Sequence, residues 1–153
     1  MLNTTEQRSK TVTDLLNGTI SSVKNVIPIN HNTEAPHLLE SSLKLTFGVL
    51  IGITGDIKGK LVLAGESTVF GTIGEKMFGM PLEGEMLSSF SGELGNMIAG
   101  GLSTNMNVDG TRMDITAPTM LQGDTTLTGY EKAVKLPIVL EDTGTIFIYM
   151  LLD

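Results

Sequence analysis

Glu93 and Asn96 stand three residues apart in the stretch Ser91-Gly-Glu-Leu-Gly-Asn-Met-Ile-Ala-Gly100. One is a carboxylate, which accepts hydrogen bonds and attracts cations. The other is a carboxamide, whose oxygen accepts and whose NH2 donates. On a helix their Cβ atoms lie about 5–6 Å apart on one face, so both groups can enter one small site. Glycine stands at 92, 95, 100 and 101 around them, although it costs a helix about 1 kcal/mol relative to alanine. An approaching surface explains both features: glycines let it come close, and two side chains stand out to meet it. Tight packing against a second helix of the same chain also explains the glycines, and spacing alone does not separate the two.

Other constellations carry less chemistry. His31 and His37 share a polar stretch with Glu34 and Glu40, but their spacing matches no usual zinc pattern, and a solvated loop is the expectation. Asp14-x2-Asn17 repeats an acid-x2-Asn spacing on an earlier segment. It could be a second centre, although a structural role is preferred. The glycine-rich "GTIGEKMFGM" lacks the Gly-Lys-Ser/Thr ending of a phosphate loop. Two loop histidines offer no Ser/His/Asp triad.

The elements that must position Glu93 and Asn96 follow from periodicity. A main helix is predicted over about 83–105, with Met86, Leu87, Phe90, Leu94, Met97, Ile98 and Leu102 on an apolar stripe facing the core. The opposite stripe holds Ser89, Gly92, Glu93, Asn96, Gly100 and Ser103, and is nearly bare of the long polar residues that fill a solvated face. An earlier helix over about 4–24 carries Val12, Leu15, Leu16, Ile20 and Val23 at spacings of three and four, ahead of Pro28. A short helix over about 67–78 would turn Val69, Phe70, Ile73 and Phe78 inward before Gly79 and Pro81. "LKLTFGVLIGITGDIKGKLVLAG" and "AVKLPIVLEDTGTIFIYMLL" read as two hairpins, and short extended pieces are expected near 112–116 and 120–122. Helix, spacer and hairpin therefore occur twice. The halves are too dissimilar to establish duplication, and aligning the helices places Gly18 opposite Asn96 and Leu15 opposite Glu93.

Composition narrows the class. The 153 residues are 41% hydrophobic and 18% charged, enough for one cored globular domain spanning 1–153. A net charge of −7 argues against a nucleic-acid partner. The absence of cysteine excludes disulfides and thiolate metal sites, and fits a reducing cytoplasm. The N-terminus "MLNTTEQRSK" has no apolar signal core, and no apolar run approaches the roughly 20 residues that cross a bilayer. The expectation is a soluble cytoplasmic protein without nucleic-acid or membrane partners.

Ser89-x3-Glu93-x2-Asn96, followed by "APTMLQG" with Pro118, resembles the signature of the CheC/CheX/FliY phosphatases of bacterial chemotaxis. That signature is Asp or Ser, three residues, Glu, two residues, Asn, about twenty-two residues and Pro. "LLNGTISSVKNVIP" and "GDIKGKLVLAG" also resemble the CheX branch, so the likeness covers most of the chain. One departure stands out: residues 97–117, between Asn96 and Pro118, number twenty-one.

The resemblance implies an α+β, CheC-like fold, with helices packed on an antiparallel sheet and an internal pseudo-twofold. It implies a phosphatase acting on the aspartyl phosphate of a CheY-like response regulator. Asn96 would orient the attacking water and Glu93 would pair with the regulator's lysine. Ser89 would support them, and Gly92 and Gly100 would admit the partner. No cofactor of its own is expected, the regulator supplying Mg2+. A homodimer is implied, for which the apolar strand Thr145–Leu152 offers an edge. The rival is a non-catalytic assembly module of the same fold, as in flagellar motor-switch proteins.

Overall fold

The computed structural model describes residues 4–39 and 41–153. Three helices, α1 (Thr4–Val26), α2 (Ser67–Phe78) and α3 (Gly84–Val108), accompany eight strands. These are β1 (His31–Thr33), β2 (His37–Leu38), β3 (Leu43–Gly55), β4 (Gly59–Ala64), β5 (Met113–Ile115), β6 (Thr119–Leu127), β7 (Lys132–Leu140) and β8 (Gly144–Leu152). All strands join one antiparallel sheet in the order β1-β7-β8-β4-β3-β5, with β2 also on β7 and β6 also on β3. The α+β expectation holds.

The connections follow a twofold pattern. α1, β1 and β2 precede the hairpin β3–β4, and α3, β5 and β6 precede the hairpin β7–β8. Each half lays its two other strands on the other half's hairpin, β1 and β2 on β7, β5 and β6 on β3. The hairpins meet through β4 and β8, from Gly59 opposite Leu152 to Ala64 opposite Phe147.

Three expectations change here. The segment expected to be a polar loop around His31 and His37 instead supplies β1 and β2, because β7 offers it a partner. β6 is longer than the extended piece expected at 120–122. β8 is a central strand, not an edge. Ile146, Ile148 and Met150 face the helices, while Phe147, Tyr149 and Leu151 face a second apolar cluster. A strand covered on both faces reads as a continuous apolar run, so its apolarity marked the centre of the sheet.

One face of the sheet carries the helices. Val49, Ile51, Leu61 and Leu63 pack there with Leu15, Val23, Phe70, Leu94, Ile98 and Leu102. A register shift between Leu45 and Phe47 reverses the faces along β3, so Leu43 and Leu45 join the second cluster while Val49 joins the first. α1 and α3 run antiparallel in close contact. Ser22 Oγ donates to the Ile98 carbonyl at 2.7 Å, and Asn105 Nδ2 donates to the Gly18 carbonyl at 3.0 Å.

Close packing of α3 on β3 and on α1 accounts for part of the glycine pattern. A Cβ at Gly95 would lie 2.9 Å from Val49 Cγ1, and one at Gly101 would collide with Ser22 Oγ. A Cβ at Gly100 would meet nothing within 4 Å among the described residues. Gly101→Ala is therefore expected to destabilise the protein by about 1–3 kcal/mol through forced separation of α1 from α3. Gly100→Ala should be neutral or gain up to about 1 kcal/mol from helix propensity. Urea unfolding of both variants checks this, and equal midpoints would refute the packing difference.

Candidate active site

α3 carries the site. Its buried side chains, Phe90, Leu94, Ile98, Leu102 and Met106, hold it on the sheet. Polar ties fix both ends against the β5–β6 side. Gln122 Nε2 donates to Ser88 Oγ at 2.6 Å, while Ser103 Oγ and Asn107 Nδ2 donate to the Met113 carbonyl at 2.5 and 3.1 Å. Groups on such an element are positioned more precisely than groups on a loop.

Along the outer side of α3 runs a lane in which Ser89 and Glu93 are exposed and Asn96 and Gly100 are half-buried. Neither the Glu93 carboxylate nor the Asn96 carboxamide has a hydrogen-bond or ion-pair partner among the described residues. Both retain their full capacity for a visitor: an acceptor-only anion and, one turn along, a neutral group that accepts and donates. The open space over Gly100 extends the lane. This part of the bare stripe is accessible, as its composition suggested.

Gly92 departs from that expectation. It is buried, with Pro118 Cγ and Met120 Sδ within 3.9 and 3.8 Å of where its Cβ would stand. The β5–β6 connection closes over the helix there, beside Glu93 and Asn96, at a distance that would leave a Cβ in ordinary van der Waals contact. The same contact brings Pro118 to the motif helix across the shorter twenty-one-residue spacing. Ser103 is likewise turned to Met113. The glycines thus divide: Gly95 and Gly101 are required by close packing, Gly92 lies under the proline connection and Gly100 borders the open face.

The other flank of the lane differs from expectation too. Met86, placed on the core stripe by periodicity, is exposed, and Phe78, expected inward, is exposed beside it. The sequence signal was available in Gly79, Met80 and Pro81: Gly79 has φ 77° and caps α2, so the chain reverses and turns residues near it outward. The ties from Ser88 to Gln122 and from Ser22 to Ile98 join segments far apart in sequence, so no local pattern announces them.

The remaining candidates stay apart. Asp14 is engaged by Lys10 Nζ at 2.8 Å, and this contact raises the lysine's pKa, so the carboxylate of the Asp14/Asn17 pair already has a partner. His31 lies on β1 opposite Leu140 and His37 on β2 opposite Lys135. Glu40 lies outside the described residues. Among the described residues no three acidic or histidine side chains come together to hold a metal ion. No helix among them is long and apolar enough to cross a membrane.

The twofold sheet with its covering helices defines a CheC-like domain. A CheC-like superfamily protein from Shewanella sp. PV-4 superposes with a TM-score of 0.78 at 24% identity, over 93% of this chain and 96% of that one. The CheX of the CheX–CheY–BeF3–Mg2+ complex from Borrelia burgdorferi superposes with a TM-score of 0.77 at 21% identity, over 92% and 96%. Within that fold, the chain belongs to the CheX family of chemotaxis phosphatases, whose family model matches residues 47–141, from β3 through α3 and Pro118 into β7. It is 31% identical over 135 residues to the CheY-P phosphatase CheX of Thermotoga maritima, covering 85% of this chain and 87% of the relative.

Proposed function

We propose that the protein hydrolyses the aspartyl phosphate of a CheY-like response regulator in the cytoplasm. The observation that carries this reading is the Glu93/Asn96 pair on the outer lane of α3, without a hydrogen-bond or ion-pair partner among the described residues. The relative from Thermotoga maritima is named for that activity, and the Borrelia burgdorferi neighbour was crystallised with CheY, BeF3 and Mg2+.

In the reaction, water attacks phosphorus in line with the acceptor aspartate. The water oxygen–phosphorus bond forms, the aspartate oxygen–phosphorus bond breaks, and inorganic phosphate leaves. The regulator contributes the acceptor aspartate, a lysine and the Mg2+ that neutralises the phosphoryl oxygens. The chain contributes position. Asn96 accepts a hydrogen bond from the attacking water through its carboxamide oxygen; a carboxylate there would be repelled by the phosphoryl group. Glu93 pairs with the regulator's lysine and sets the register of α3 in the partner's site. Ser89 borders the same approach, and Gly100 leaves it open. Pro118, seated on Gly92, shapes the adjoining wall.

The direct test mixes catalytic amounts of the protein with a phosphorylated CheY-type regulator and follows decay of the phosphoryl group. Faster decay supports the phosphatase. Binding without acceleration would instead support the assembly module of the same fold.

Homodimer formation belongs to the same proposal, but β8 cannot provide its edge. Among the described strands, β6 is the longest with one side unpaired. Sedimentation at micromolar concentration is expected to give the mass of a dimer, and a monomer would count against it.

A further inference from the structure

Next to Glu93, the end of α2 and the first half of α3 enclose an open cleft of about 780 Å³. Its floor is sealed. Leu82 lies in the gap left by Gly74, and Phe90 is buried beside it. Its rim is apolar and exposed: Phe78 at 62%, Met80 at 51% and Met86 at 57%. Scattered exposed apolar residues are ordinary, but half of the large exposed apolar side chains among the described residues gather at this one cleft. They are also placed. The Phe78 ring stands edge-on to Phe90 at 5.7 Å and 89°, and the reversal at Gly79 presents Met80 on the same side.

The polar lining is one-sided. Glu85, Ser89 and Glu93 border the cleft, and no cation among the described residues does. Lys76 of α2 is directed elsewhere, its Nζ donating to the Glu141 carbonyl and to Thr143 Oγ1. The complementary occupant carries an apolar side chain with a lysine or arginine beside it. A second copy of this chain suits the cleft poorly, since a self-complementary contact would bring acidic rims together. Continuity points the same way, because Glu93 belongs both to the cleft and to the lane holding Asn96.

We infer that this cleft is a docking site for an apolar-and-basic patch on the phosphorylated regulator, next to its acceptor aspartate, and that it sets which regulator is accepted. The inference rests on the regulator-phosphatase reading of the Glu93/Asn96 lane. Methionines at the rim and wall suit the task, since their flexible thioethers adapt to an incoming side chain.

The test measures binding directly, with a CheY-type receiver domain from the same organism loaded with beryllofluoride and Mg2+. Phe78→Ser and Met86→Ser should each raise Kd about fivefold or more, as expected when an apolar anchor is lost. The melting temperature of Met86→Ser should stay within about 2 °C of the parent, because the side chain is largely exposed, while Phe78→Ser, which loses the edge-on contact with Phe90, should melt only a few degrees lower. Glu85→Lys should also raise Kd, with the binding less sensitive to salt. If all three variants bind like the parent while the parent accelerates phosphoryl decay, the docking inference falls and the phosphatase reading stands. If binding weakens as expected but the parent leaves decay unchanged, docking stands and the catalytic reading falls. No binding by the parent overturns the inference, as does conversion of a dimer to a monomer by Phe78→Ser.

Discussion

Asn96→Ala is expected to remove most of the acceleration of phosphoryl decay, by about 100-fold or more, while the variant still binds the phosphorylated regulator. A positioned group of this kind acts in the transition state and adds little to ground-state binding. Folding should be nearly untouched. The Asn96 side chain makes no hydrogen bond among the described residues, and such changes usually stay within about 0.5 kcal/mol. Asn96→Asp should fail as well despite its similar shape, because its charge faces an anionic phosphoryl group. The measurement is the decay rate at protein concentrations above Kd, with each variant and without protein. An alanine variant that binds and accelerates decay as well as the parent would remove Asn96 from the mechanism.

Glu93→Ala is expected to act chiefly on encounter, raising the half-saturating regulator concentration about tenfold to a hundredfold. A charge pair desolvated at an interface contributes about 2 kcal/mol or more. Because the carboxylate has no partner among the described residues, the loss is expected to fall on docking and not on folding. The parent's half-saturating concentration should rise with salt, and the variant's should rise less, since one screened charge pair has gone. Rates measured across regulator concentrations at two ionic strengths decide the matter. An unchanged half-saturating concentration with a reduced maximal rate would move Glu93 from docking to the chemical step.

Much of this organisation was legible in the sequence because it is local. The 3.6-residue period of Phe90, Leu94, Ile98 and Leu102 sets one face of α3 against the core, and the same period places Glu93 and Asn96 together on the other. The turns at Thr54–Gly59 and Glu141–Gly144 mark both hairpins. What tertiary structure alone decided concerns neighbours far along the chain. Periodicity states that β8 is apolar, but only its pairing with β4 and β7 makes it central. Four glycines look alike in sequence, yet Val49 confines Gly95, Pro118 and Met120 cover Gly92, Ser22 confines Gly101, and nothing among the described residues meets Gly100. Met86 shares a helical stripe with Leu94, but near the start of α3 the core has ended and that stripe opens into a cleft with Phe78. A residue's direction on its own helix or strand follows from backbone geometry within a few residues. Whether protein or solvent lies in that direction depends on segments brought there by the whole fold.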